Sequence, residues 1–192
     1  PTITREGEAL GSYYGYVADG YFQSQEEIDM ADCVYGGNKA NIKPGYIRYV
    51  DVNHDGEINS KDRVILGNST PRYEYSFTLG GQWKGIDLSL FFQGVGKRDL
   101  YYSGAGARPL VQNSTIFKSQ LDTWSPENPD AEYPLLLVDA GSTNMNNIVS
   151  SFWIKSGAYL RLKNLTVGYT LPKKWTNRVS IDNLRLYFTA SN

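Results

Sequence analysis

Twelve consecutive residues, Asp51-Val52-Asn53-His54-Asp55-Gly56-Glu57-Ile58-Asn59-Ser60-Lys61-Asp62, place oxygen-bearing side chains at the first, third, fifth, ninth and twelfth positions around one glycine. A hard divalent cation takes about six to eight oxygen ligands, and a chain that turns tightly at a glycine can aim alternate side chains at one point. The spacing therefore makes Asp51, Asn53, Asp55, the carbonyl of Glu57 and the carboxylate of Asp62 a candidate calcium-ligating set, with Ile58 packed beneath the ion. Calcium would be structural there. The same residues also suit a polar hairpin tip in which Asp, Asn and Gly serve turn geometry alone.

Two details weaken a helical calcium motif. Asp62 stands where an EF-hand carries a longer, bidentate Glu. The loop resembles that of dockerin modules, but they follow it with an amphipathic helix and need a second copy of the loop. Here Arg63-Val64-Ile65-Leu66-Gly67 runs into Asn68, Ser69 and Pro71, which stop a helix, and no repeat is present.

Other catalytic chemistry has little to work with. His54 is the only histidine and sits inside the polar turn, so a Ser-His-Asp or Cys-His arrangement would depend on a solvated residue. Cys33 is the only cysteine, which excludes an internal disulfide and a zinc cluster. Glu74 and Asp87 are a candidate carboxylate pair for glycoside hydrolysis on adjacent predicted strands, but paired residues on a polar face are ordinary. The chain reads as a protein that is not an enzyme.

The elements that must position these residues are strands. With 41% hydrophobic and 20% charged residues, the 192-residue chain is globular rather than disordered, and a net charge of −1 offers no case for nucleic acid. Tyr is used 15 times and Trp 4 times against 2 Met. Such residues suit strands, sugar-contacting surfaces and membrane-interface belts. No apolar run approaches the length of a membrane helix, and Pro1, with no signal peptide after it, is not expected to be a natural start.

Residues 1–45, rich in Gly, Tyr and Asp, read as an ordered loop with short extended pieces. Within it Gln25 to Ala31 predicts about two turns of helix capped by Ser24 and ended by Gly36-Gly37-Asn38. Tyr46-Ile47-Arg48-Tyr49-Val50 then predicts a strand that delivers the acidic turn.

From Tyr73 the pattern becomes strict alternation, with Tyr73, Tyr75, Phe77 and Leu79 on one face. It resumes after Trp83-Lys84-Gly85 with Ile86, Leu88, Leu90 and Phe92, which predicts an antiparallel hairpin. Residues 94–156 form a long excursion. In it Phe117, Leu121 and Trp124 predict a short helix with a docked apolar stripe, and Asn144-Met145-Asn146-Asn147 predicts surface.

Strand texture returns over 159–169, where Leu160 and Leu162 hold one parity and Leu165, Val167 and Tyr169 the other. A bulge near Asn164 would restore a single face. Residues 183–190 alternate again through Leu184, Leu186 and Phe188, and the sheet is expected to continue beyond Asn192.

Strands with one apolar and one polar face fit either a soluble sandwich or an outer-membrane barrel. Runs of about ten residues, short turns at one end, long excursions at the other, and Trp83, Trp153 and Trp175 near strand ends suit the barrel.

Several stretches together resemble a known family. They are Gly15-Tyr16 through Asp19-Gly20-Tyr21-Phe22 with Gln25-Glu26-Glu27-Ile28, and Pro44-Gly45-Tyr46-Ile47-Arg48-Tyr49 leading into 51–62. Arg63 through Gly67-Asn68 to Pro71, Trp83-Lys84-Gly85-Ile86-Asp87-Leu88-Ser89-Leu90-Phe91-Phe92-Gln93-Gly94, Trp124-Ser125-Pro126-Glu127-Asn128-Pro129, and Tyr159 to Asn164 ending at Gly168-Tyr169-Thr170-Leu171-Pro172 complete the set. Their order and spacing resemble the C-terminal portion of SusC-like (RagA-like) TonB-dependent outer-membrane receptors of Gram-negative bacteria.

The resemblance implies an all-β fold whose antiparallel strands belong to a large transmembrane β-barrel of about 22 strands with a plugged lumen. Residues 1–71, carrying the calcium-type turn, and the long loop 94–156 would be extracellular and carry short helices, while 72–192 supplies barrel strands. It further implies import of oligosaccharides or peptides, with a SusD-like surface lipoprotein as lid and TonB as the energy source. Tyr13, Tyr14, Tyr16, Tyr21, Tyr101 and Tyr102 would then either pack the loops or stack on sugars, and packing is the reading preferred here. The competing reading is a soluble, calcium-stabilised carbohydrate-binding β-sandwich module.

Overall fold

The folded chain divides into two units. The computed structural model describes residues 1–31, 34–35, 39–104, 107, 109–110, 115–137 and 145–192. One unit comprises Pro1–Thr70 with Asp99–Ser156, the other Pro71–Arg98 with Gly157–Asn192.

The first unit is built from short pieces. In chain order they are β1 (Thr2–Ile3), β2 (Ser12–Gly15), β3 (Ala18–Tyr21), α1 (Gln25–Met30), β4 (Val34–Tyr35), β5 (Ile47–Tyr49), β6 (Glu57–Ile58) and β7 (Val64–Asn68). β2 pairs antiparallel with β1 and β7, β3 with β5, and β4 runs parallel to β6. The predicted helix forms where Ser24 caps it, its hydroxyl accepting the Glu27 amide at 3.2 Å. Glu27 returns the bond by accepting the Gln23 amide at 2.7 Å, and the six-residue helix buries Ile28. The proposed stop at Gly36-Gly37-Asn38 lies outside the described residues.

Aromatic side chains hold these pieces together. Tyr16, Tyr21, Phe22, Tyr35, Tyr46 and Tyr49 pack with Ile28, Ile47, Ile58 and Trp124 in one buried cluster. A buried phenol needs a hydrogen-bond partner, and two of these donate to backbone carbonyls while the Tyr35 hydroxyl accepts the Tyr49 amide at 2.6 Å. Tyr21 donates to the Ala131 and Glu132 carbonyls at 3.2 Å each, and Tyr49 donates to that of Met145 at 2.6 Å. Gly45, at φ 84°, lies against the Trp124 indole, where any Cβ would collide with the ring.

Two expectations inside the excursion fail for a shared reason. Phe117 and Leu121 are exposed, only a 3-10 turn forms at Lys118–Gln120, and Trp124 alone is buried, so no helical stripe docks. Residues 145–147, expected at the surface, include buried Asn146 and Asn147, while Asn144 lies outside the described residues. Asn146 Oδ1 accepts the Ile47 amide at 2.8 Å, and its carbonyl accepts the Trp153 indole N–H at 2.8 Å. Both contacts are set by tertiary partners that local texture does not show.

The excursion also contributes β10 (Asp99–Tyr101) and β11 (Ile154–Ser156), an antiparallel pair. The second unit is one antiparallel sheet of β8 (Tyr73–Trp83), β9 (Ile86–Gly96), β12 (Tyr159–Thr170) and β13 (Arg185–Ser191), ordered β13-β12-β9-β8. β8 and β9 meet through a two-residue turn, with Lys84 at φ 48° and Gly85 at φ 85°. Positive φ at both positions gives the type I′ turn whose twist matches a hairpin. Register shifts between Leu162 and Asn164, so the bulge forms where parity required it.

Asn146→Ala would leave the buried Ile47 amide without its acceptor, a loss of about 1–3 kcal/mol. Hydrogen exchange on the full-length protein should show the Ile47 amide losing protection, and unchanged protection would refute this role for Asn146.

Candidate functional site

The acidic turn folds where the sequence places it, and its oxygens bind the turn's own backbone. β5 ends just before Asp51, and His54 (φ 59°) and Gly56 (φ 84°) reverse the chain into β6. Asp51 accepts the Gly56 amide at 2.8 Å, Asn53 accepts that of Asp55 at 2.9 Å, and Asp55 accepts that of Glu57 at 3.1 Å. Asp62, fully buried, accepts Val52 N–H at 3.0 Å on one oxygen and Asn59 N–H at 2.8 Å on the other. Asn59 in turn accepts the Lys61 amide, closing a capping box around the Ser60–Asp62 turn. Ile58 is buried in the aromatic cluster, which anchors the turn to the core.

Glu57 is exposed, and Lys61 pairs with Asp55 at 3.4 Å. Among the described residues no three His, Cys, Asp or Glu side chains form a group that could hold a metal ion. Burial alone would push the Asp51 carboxyl up, but backbone N–H groups of Gly56, His54 and Asp55 outweigh it and hold the group below the usual carboxylate range. Burial is likewise outweighed at Asp55, by the Glu57 amide, Asn53 and Lys61.

The tyrosines considered for sugar stacking mostly serve packing. Tyr13, Tyr16 and Tyr21 are buried, Tyr14 and Tyr101 are half-buried, and only Tyr102 is exposed. Burial raises the phenol pKa of Tyr21 and of Tyr49 far above the ordinary value, so both stay neutral hydrogen-bond donors. Trp153, expected near a membrane interface, is instead a core residue packed with Tyr133 and Ala107.

The long sheet has two chemically distinct faces. Pairing stacks Phe77 beside Phe92 and Leu162, and Leu79 beside Leu90 and Leu165. Val167 pairs with Leu88 and Phe188, and Tyr169 with Ile86 and Leu186. This apolar face is open to the surroundings, with Leu79 at 55%, Leu186 at 60% and Phe188 at 65% exposure. Trp83 and Trp175 are exposed at the hairpin end.

The opposite face carries polar groups. Asp87 on β9 and Arg185 on β13 form a two-point ion pair, Nε donating to Oδ1 at 2.9 Å and Nη2 to Oδ2. The pair crosses β12 at Gly168, where a Cβ would strike both partners. Thr166 and Thr189 share a hydrogen bond at 2.9 Å on the same face. Glu74 pairs in register with Val95, whereas Asp87 pairs with Gln82, eight positions along β8 from Glu74. At about 3.3 Å per residue the two carboxylates lie far beyond the roughly 5–9.5 Å of a glycosidase pair.

No protein-family model matches the chain. It is 33% identical over 195 residues to TonB-dependent receptor P3 of Formosa agariphila, a match covering 99% of this chain and 18% of that protein. It is 25% identical over 179 residues to TonB-dependent receptor SusC of Bacteroides thetaiotaomicron, covering 93% of this chain and 16% of SusC. A solved structure of the RagAB peptide transporter superposes with a TM-score of 0.64 at 18% identity, over 94% of this chain and 18% of that chain. The chain thus spans less than about a fifth of the length of these relatives. Antiparallel strands with few helices, in the fold of part of that transporter, bear out the expected fold class.

Asp62→Ala removes the acceptor for the Val52 and Asn59 amides and should destabilise the turn by about 1–3 kcal/mol. Because Asp51 and Asp55 titrate lower in the folded turn than in the unfolded chain, their contribution is complete above about pH 4 and is lost as pH falls through the depressed folded values. Limited proteolysis of 51–62 in the full-length protein, as a function of pH, should show cleavage rising only in that acidic range. Cleavage that instead rises near neutrality would refute the assignment.

Proposed function

From homology along its whole length to TonB-dependent receptors, SusC among them, we propose that this chain is part of an outer-membrane transporter of the SusC type. The observation that carries the reading is the open apolar face of the long sheet. A soluble protein leaving such a face in water would forgo roughly 1.5–3 kcal/mol per large side chain, whereas lipid recovers it. A sandwich would need a second sheet pressed on this face, but Leu79, Leu186 and Phe188 stay exposed. The soluble sugar-binding module is therefore not favoured.

In this reading the apolar face contacts lipid and the face of Asp87, Arg185, Thr166 and Thr189 lines the barrel interior. Residues 1–71 and 94–156 are extracellular loops, held as folded units by the tyrosine cluster and the acidic turn. A SusD-like lipoprotein covers the barrel, TonB supplies energy, and the cargo is an oligosaccharide or a peptide. The likeness to a peptide transporter supports the second cargo class. Cargo is moved without a bond being broken, so no residue is assigned a catalytic role.

Calcium is proposed as a second closure of the turn, through Asp51, Asn53, Asp55, the Glu57 carbonyl and Asp62. A carboxylate has about four lone-pair directions, so one that accepts an amide keeps capacity for a cation. Lys61 would have to leave Asp55. Asp51→Ala with Asp55→Ala should abolish ion binding, and unchanged melting of the full-length protein with and without a chelator would rule calcium out.

Two substitutions on neighbouring positions of β8 test the membrane reading. Leu79→Arg, in mid-strand on the apolar face, should cost about 2–4 kcal/mol and reduce the heat-modifiable folded receptor recovered in the outer membrane. Thr78→Arg, on the opposite face, should leave that yield near wild type. Equal losses, or recovery of the native polypeptide in the soluble fraction, would overturn the barrel assignment.

A further inference from the structure

One end of the long sheet concentrates positive charge beside exposed indoles. Register places Trp83, Ile86, Tyr169 and Leu186 in one row, so the Lys84-Gly85 turn and the connection 171–184 share that end. The Thr170 amide donates to the Gly85 carbonyl at 2.7 Å, which ties the two together. Lys84, Lys173, Lys174 and Arg178 are all exposed there. Asp87 is engaged by Arg185, and Asp182 is the remaining acidic residue of the connection, so four cations face one anion.

The aromatic residues at this end are placed as an interface requires. Trp83 is 69% exposed and Trp175 57% exposed, and the Lys84 ammonium sits 4.7 Å from the centre of the Trp83 ring. An indole settles where hydrocarbon meets headgroups, and a lysine beside it places its charge in the headgroup layer. The apolar face runs without interruption from Leu79 and Leu88 to Trp83 and Ile86, so this charge begins where the hydrocarbon-facing surface stops.

We infer that this end of the sheet is a binding surface for anionic phospholipid headgroups, with Lys84, Lys173, Lys174 and Arg178 as phosphate-contacting cations and Trp83 and Trp175 as depth anchors. The inference rests on the membrane reading above. Short turns mark the periplasmic side of a barrel, so the headgroups belong to the inner leaflet of the outer membrane. Basic residues near an anionic bilayer strengthen binding by about fivefold each, and the gain is screened by salt.

Native mass spectrometry tests this on the full-length receptor, extracted from its own outer membrane and exchanged into micelles doped equally with phosphatidylglycerol and phosphatidylcholine. The wild type should retain phosphatidylglycerol over phosphatidylcholine, and high salt should reduce that preference. The combined variant Lys84→Gln, Lys173→Gln, Lys174→Gln and Arg178→Gln should lose at least about tenfold of it. The charge-keeping set Lys84→Arg, Lys173→Arg, Lys174→Arg and Arg178→Lys should retain it, which separates charge from folding. A wild type without preference, or a glutamine variant with undiminished preference, overturns the inference while leaving the barrel in place. Recovery of the receptor outside the membrane fraction overturns both.

Discussion

Because side chains alternate across a strand, inserting one residue sends every later side chain to the opposite face. β12 contains such an insertion at Lys163, between Leu162, which pairs with Phe92, and Asn164, which pairs with Phe91. Without it, Leu165, Val167 and Tyr169 would lie with Asp87 and Ser89, and Thr166 would lie with the leucines. With it, the apolar face stays continuous over four strands, and the ion pair of Asp87 and Arg185 stays on the polar side. The faces assigned to β12 beyond Leu162 and to β13 depend on that one register shift.

The loop unit obeys a different constraint. Its strands are two to five residues long, too short for ladders to satisfy the backbone, so side chains take over that task. Tyr21, Tyr49 and Asn146 each bond main-chain groups about a hundred positions away in the chain. Asp62, Asp51 and Asn59 do the same locally within the acidic turn. This explains the heavy use of tyrosine, since a phenol both fills a core and reaches a carbonyl at its far end.

The two regimes also explain what could be read in advance. Period-two alternation, the Lys84-Gly85 turn, the parity break at Asn164 and the Ser24 cap are local signals, and each appears as expected. The failures are all settled by distant partners. Asn146 looked like surface because nothing near it announces Ile47, and Trp153 looked like an interface residue because nothing near it announces Tyr133. Phe117 and Leu121 had helical spacing, but both side chains stay exposed, and propensity without burial is weak. The acidic turn is intermediate: its loop is legible from composition, whereas which backbone amides its carboxylates accept depends on the folded turn.

The same contrast bears on how such a chain can change. A polar residue on the apolar face, or a single deletion in β12, disturbs pairing along whole strands, so the sheet constrains residue type position by position. The loop unit depends on a limited set of buried phenols and amides, and exposed side chains such as Leu10 and Met30 lie outside its buried cluster. Surface chemistry there can vary while the cluster of Tyr16, Tyr35, Tyr46 and Tyr49 holds the backbone. In the transporter reading proposed above, that separation between a face dictated by lipid and a loop surface free of it lets recognition change without loss of the protein's place in the membrane.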